Sequence, residues 1–150
     1  MRTVGFPSPV AAKLAGVTDG TLEHWNDRGF LKPSVRARGR GRRPRLYSFR
    51  DLVAIRLVDQ LRERGLDVRH LHGVVAYVRN REGLELDRDF PPNRLMLTDG
   101  SHFLEKDRIE QFAQVHWPKL PEVLLFVSFG ELVTKLQRDG RSAARTLLAA

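Results

Sequence analysis

Along the first thirty residues the apolar positions fall into two short helical groups. Val10, Ala11, Ala12, Leu14 and Ala15 follow Ser8-Pro9, where serine is the expected N-cap and proline the first helical residue, and Gly16 ends the run. Thr18 caps the second group, in which Leu22, Trp25 and Asn26 recur at helical spacing until Gly29. Two short helices joined around a glycine make a helix-turn-helix. Leu14, Val17, Leu22 and Trp25 are its expected core, and Thr21, Glu23 and His24 lie on or near its outer face.

After Phe30-Leu31-Lys32-Pro33 the chain turns polar, and it returns through Arg45-Leu46-Tyr47-Ser48. Two extended runs around a glycine-rich loop predict a hairpin, and beside a helix-turn-helix a hairpin is a wing. Ser48 with Asp51 is a capping-box variant opening a helix with Leu52, Ile55, Leu57, Val58 and Leu61 on one broad face, closed by Gly65. Asp67 caps a further helix carrying Val68, Leu71, Val74, Val75 and Val78, with Gly73 a weak point in it.

Periodicity stops near Arg79, and Gly83 with Pro91-Pro92 forbids a continuing helix, so residues 80–93 are predicted to be a linker. Arg94 to Thr98 and Ser101 to Leu104 flank Asp99-Gly100, a type I′ hairpin signal. Asp107 with Glu110 predicts the cap of a short helix bearing Ile109, Phe112 and Ala113, ended by Pro118. Val123 to Val127 is predicted as a buried strand whose sheet pairs across a two-fold axis, and Ser128 with Glu131 opens a helix bearing Leu132, Val133 and Leu136. From Arg141 on, the sequence fits either a frayed helix or a docking peptide. The predicted class is α+β: a winged helix-turn-helix over 1–79, a linker over 80–93, a small α+β unit of hairpin, helix, strand and helix over 94–140, and a tail over 141–150.

Charge sharpens this division. Residues 1–81 hold 17 Lys+Arg against 7 Asp+Glu, and residues 82–150 hold 9 against 11, so the net charge of +8 lies entirely in the first half. Such asymmetry points to a polyanion as partner of that half alone. Six arginines (Arg36, Arg38, Arg40, Arg42, Arg43 and Arg45) fall within ten residues, and no acidic residue lies between Pro33 and Arg50. This stretch has no local partners to neutralise it on burial, so it faces solvent or phosphate, whose oxygens the guanidinium fork matches. Arg40-Gly41-Arg42-Arg43-Pro44 looks like an AT-hook core, Arg-Gly-Arg-Pro, with one arginine inserted; such cores occupy narrow minor grooves.

The order Ala12-Lys13-Leu14-Ala15-Gly16-Val17-Thr18, Thr21-Leu22, Gly29-Phe30-Leu31-Lys32-Pro33, Arg45-Leu46-Tyr47, Asp51-Leu52, Leu61-Arg62 and Gly65-Leu66 resembles the MerR family of winged-helix regulators over about residues 6–78. The resemblance implies a second helix in the major groove, a wing on the backbone or minor groove, and a homodimer on a palindromic operator. It carries over Thr21, His24 (in place of a family tyrosine that meets phosphate) and Arg45. The chain departs from the pattern at Glu23 and Gly20, where the family commonly has arginines, and in lacking the long coiled-coil helix after the domain.

The resulting expectation is a sequence-specific regulator that binds double-stranded DNA through Thr18, Thr21, Glu23, His24, Arg36, Arg38, Arg40, Arg42, Arg43 and Arg45. The C-terminal unit then dimerises, senses an effector or binds a partner. Two other readings stand beside it: an antitoxin that represses its own operon and neutralises a toxin through the C-terminal part, and an architectural or recombination-accessory protein that bends DNA. No cysteine is present, so disulfides and thiolate metal sites are excluded. No cofactor or metal is expected, since His70 and His72 point to different sides of a helix and His102 and His116 lack nearby ligands in sequence. No nucleophile motif or phosphate loop appears, so catalysis is not expected. No apolar run exceeds five residues and no signal-like core begins the chain, so the expected site of action is the cytoplasm, at the nucleoid.

Overall fold

The computed structural model of the chain describes residues 5–36, 45–119 and 121–149. Helix α1 (Ser8–Ala15) is capped by Pro7 without a side-chain hydrogen bond. Ser8 is therefore a first-turn residue and not the expected N-cap; its Oγ donates to Asp19 Oδ1 at 3.1 Å, in the next helix. Gly16 ends α1 at φ 77°, a left-handed conformation that disfavours any Cβ. Thr18 caps α2 (Asp19–Asp27), accepting from the Thr21 amide at 3.1 Å. Leu22 and Trp25 are buried, whereas Leu14 and Val17 lie half-buried at the margin.

Strand β1 (Val35–Arg36) pairs antiparallel with β2 (Arg45–Leu46), and Phe6 exchanges both backbone hydrogen bonds with Tyr47 at the base of this wing. Ser48 and Asp51 form the predicted capping box of α3 (Phe49–Glu63). Ten of its fifteen residues are buried, more than one face, because α1, α4 and α5 all pack against it.

The helix expected after Asp67 is interrupted. Asp67 does cap it, accepting from the Arg69 amide at 2.9 Å, but Val68–His70 is a 3-10 turn and α4 spans His72–Asn80. A Cβ at Gly73 would stand 3.4 Å from the Gly100 carbonyl oxygen, so this glycine admits the neighbouring hairpin loop. The guanidinium of Arg50, in the first turn of α3, donates to the carbonyls of Val78 (2.8 Å) and Arg81, closing the end of α4.

Residues 80–93, expected to be a linker, run instead as a packed strap with Leu84, Leu86 and Phe90 buried. Its backbone carbonyls are satisfied from a distant helix: Gln137 Nε2 donates to Glu85 and Arg88 (2.8 and 2.6 Å), and Arg141 Nε to Leu86 (2.9 Å). Strands β3 (Leu95–Thr98), β4 (Phe103–Lys106) and β5 (Leu125–Val127) form an antiparallel sheet in the order β4-β3-β5. The β3–β4 connection is a four-residue loop, not the expected two-residue turn, because Thr98 pairs with Phe103. Asp99 Oδ1 accepts from the Ser101 and His102 amides (2.8 and 2.7 Å), and this side-chain turn replaces a backbone one.

Two further expectations are corrected. The segment Val123–Val127 is not a buried strand: β5 covers only Leu125–Val127, Val123 and Leu124 precede it exposed, and within it Phe126 faces the side opposite to buried Val127. Arg64 donates to the Phe126 carbonyl, engaging an acceptor on that strand. Asp107 does not cap a helix; Gln111 Oε1 accepts from the Asp107 and Arg108 amides (3.0 and 2.9 Å), leaving the Asp107 carboxylate to pair with Arg94 at 2.6 Å, and Ile109–Phe112 is a 3-10 turn with Ile109 exposed.

Helix α5 (Phe129–Ala149) continues through Gly140 to the end of the described chain, so residues 141–149 are helical and no separate peptide. It packs on α1 and α3. The buried residues form one cluster that joins Phe6, Leu52 and Val58 to Leu84, Met96 and Phe129. Among the described residues no helix is long and apolar enough to cross a membrane.

The hairpin loop supplies a pH test. Burial would raise the Asp99 carboxyl, but hydrogen bonds from Trp117 Nε1 (2.9 Å), the His102 and Ser101 amides and the His102 ring hold it down at about 2. A depressed carboxylate stabilises the fold above its unfolded pKa and loses that contribution as pH falls through the folded one. Asp99→Asn should therefore cost on the order of 1–2 kcal/mol near neutrality. In urea unfolding at a series of pH values the gap from wild type should close between about pH 4 and 2.

Candidate nucleic-acid interface

Helix α2 turns Leu22 and Trp25 inward, so the 3.6-residue repeat carries Glu23 and His24 outward, where both are exposed. Thr21 is half-buried, and its hydroxyl accepts from Thr18 Oγ1 at 2.9 Å, so the two threonines hold each other at the N-terminal end of the helix. Arg45, exposed on β2, lies across from this helix. Glu23, Asn26 and Arg45 line one surface cleft of about 820 Å³, together with Asp19, Pro33 and Tyr47. The Tyr47 ring is buried, and burial first, then Asp51 and Asp19, push its phenol up to about 12. It therefore stays protonated near neutrality, a neutral wall beneath a charged rim.

The wing is anchored at its root by a buried carboxylate. Asp51 Oδ2 accepts from the Ser48 amide (2.9 Å), the Ser34 amide (3.0 Å) and Ser34 Oγ (2.6 Å), while Asp51's own amide donates to Ser48 Oγ at 3.0 Å. The side chain that caps α3 thus also fixes the residue immediately before β1. Elsewhere in the molecule Arg81 and Arg94 converge on Glu105, whose side chain is 5% exposed, and Tyr77 donates to the same carboxylate. Burial would raise the Glu105 carboxyl; hydrogen bonds from Arg81, Tyr77 and Arg94 outweigh it and hold the group below the usual carboxylate range. This network ties α4 to the C-terminal sheet.

Of the ten residues expected to meet DNA, Thr21, Glu23 and His24 lie on α2, Thr18 caps it, and Arg45 lies beside it. Arg36 pairs with Arg45 through the backbone. Arg38, Arg40, Arg42 and Arg43 lie outside the described residues. Sequence reasoning missed Asp19 and Asn26 as lining of the same cleft; Asn26 stands three residues after Glu23, a spacing that puts both on one side of a helix. It also missed the Ser34–Asp51 anchor, for which 17 residues of separation leave no local signal.

A family model described as MerR HTH family regulatory protein matches residues 7–78. Residues 7–78 form a MerR-family helix-turn-helix domain. The stretch so matched takes in α1, α2, the wing, α3 and most of α4. Uncharacterized HTH-type transcriptional regulators of Mycobacterium tuberculosis and Mycobacterium bovis are 28% identical over 108 residues, which are 72% of this chain and 46% of theirs. The chain thus spans about half the length of the curated relatives it matches. In the MerR domain Asp51 ties the wing root to the first turn of α3, and the Phe6–Tyr47 bridge ties it to the segment that leads into α1.

Removing that anchor tests its weight. Asp51→Ala takes away an N-cap partner and leaves the Ser34 and Ser48 amides without their acceptor, which should destabilise the protein by about 2–4 kcal/mol in urea unfolding. Amide exchange at Val35 and Leu46 should accelerate more than exchange in α5.

Proposed function

We propose that the chain is a transcriptional regulator that binds double-stranded DNA, laying α2 in the major groove and its wing along the backbone or minor groove. The observation that carries this reading is the placement of Arg45, one of six wing arginines, in one cleft with Glu23 of the MerR domain's second helix. A helix-turn-helix offers its second helix to base edges, and adjoining cations hold the phosphates that set its register. The excess of 17 Lys+Arg over 7 Asp+Glu in residues 1–81 supplies the long-range attraction. Thr21 and His24 are the candidates for base and phosphate contact on α2, and Glu23 for accepting a hydrogen bond from a cytosine amino group. One helix-turn-helix per chain fits a homodimer on a two-fold operator.

Titration of a labelled duplex, first selected from a random pool, against salt measures the electrostatic part. About five to ten phosphates neutralised per dimer should lower affinity on the order of 10³ to 10⁵ between about 50 and 200 mM salt, and Arg40→Ala with Arg42→Ala should flatten that slope by about one unit for each lost contact. A flat titration would mean that the wing does not meet phosphate.

Glu23→Ala separates choice from affinity. Loss of the carboxylate should relax preference at one base pair by about 1–3 kcal/mol and leave binding to unrelated duplexes unchanged or slightly tighter, since a negative charge near phosphate is removed. Equal weakening on selected and unrelated duplexes would make Glu23 structural.

A further inference from the structure

Asp59, in the middle of α3, is a carboxylate with only 1% of its side chain exposed, and it is used by neither the wing anchor nor the cleft. Its oxygens are divided between two arginines of the same helix: Arg62 Nη2 at 2.5 Å and Arg56 Nη1 at 3.3 Å. Each arginine then reaches a different part of the helix-turn-helix. The Arg62 guanidinium lies 5.7 Å from the ring centroid of Trp25, the buried residue on the inner side of α2. Arg56 Nη1 lies beneath the turn between α1 and α2, where a Cβ on Gly16 would stand 3.2 Å from it.

We infer that Asp59 is a positioning residue for DNA reading: it clamps Arg62 against Trp25 and Arg56 under Gly16, and so fixes the angle at which α2 presents Thr21, Glu23 and His24. This rests on the proposal that α2 reads DNA. A lone guanidinium on a tryptophan face is held by a weak, adaptable contact, whereas one tethered by a buried carboxylate has a single position. Trp25 sits one residue after His24 and two after Glu23, so a shift of its ring rotates the outward side chains that would meet base edges. The wing is held by Asp51 instead, eight residues earlier on α3, through hydrogen bonds in which Asp59 takes no part.

The test uses the full chain with Asp59→Asn and, separately, Arg62→Met, which keeps the bulk over Trp25 and removes the charge. Duplexes are selected from a random pool with the unaltered protein, and affinity is then measured for the selected duplex and for a scrambled duplex of the same length. Each variant should lose roughly tenfold or more of the ratio between the two, the size of one base pair's discrimination, with scrambled-duplex affinity and its salt slope nearly unchanged. The double variant should lose no more than Asp59→Asn alone, because the Arg62 contact is one of the two that Asp59 holds. In a Trp117→Phe background the remaining Trp25 emission should change alike in both variants, a signature that loss of stability alone would not give in a protein still folded by circular dichroism. If the unaltered protein selects no sequence, the DNA-reading proposal fails and this inference with it. If it selects a sequence and Asp59→Asn or a folded Arg62→Met keeps the full ratio, the inference alone is overturned.

Discussion

A helix buried on most of its sides can carry an aspartate only if the carboxyl oxygens find hydrogen-bond donors where they lie. Helix α3 is such a helix, and it carries two, Asp51 and Asp59, each about 3% exposed or less. The constraint orders the rest of the molecule. Asp51 is satisfied by drawing in Ser34 and Ser48, which brings the root of the wing onto the first turn of α3. Asp59 is satisfied by Arg56 and Arg62, which reach the turn of the helix-turn-helix and the inner face of α2. The apolar residues between them supply the burial that makes both pairings obligatory.

The same helix explains how the C-terminal half is attached. Helix α5 lies on α1 and α3, and the strap over residues 80–93 is pinned to α5 by Gln137 and Arg141 through backbone carbonyls. A Cβ on Gly130 would stand 2.3 Å from the Pro91 carbonyl oxygen, and one on Gly140 would stand 3.1 Å from Leu86 Cδ1, so two helical glycines admit the strap. Arg50 and the Glu105 network add polar ties between α3, α4 and the sheet. The two halves therefore share a core, although their charges differ so sharply in sign.

Features that depend on a few consecutive residues were legible in advance. Gly16 in a left-handed conformation, the Thr18 cap and the Ser48–Asp51 box are each decided within three or four positions, by φ preference or by a side chain reaching the nearest free amide. The outward placement of Glu23 and His24 follows in the same way from the positions of Leu22 and Trp25. Ser8 was misplaced by one residue because its hydroxyl has a competing acceptor, Asp19, eleven residues on. Where the sequence motif was a turn, the loop length was decided by which strand residues pair, and Thr98 with Phe103 leaves four residues between them.

By itself, then, the chain determined the stop at Gly16, the caps at Thr18 and Ser48–Asp51, the class of its first half and the concentration of positive charge there, because these are properties of composition and short-range geometry. Tertiary structure alone decided that residues 80–93 pack down through Leu84, Leu86 and Phe90 and do not run free, that Phe126 faces outward on an edge strand, and that α5 runs unbroken to residue 149. Each of these depends on a partner brought close by folding from about 30 to 55 positions away. A proline or an apolar run reads the same in a linker as in a strap; only the carboxamide of Gln137 and the guanidinium of Arg141, arriving from the last helix, made the difference.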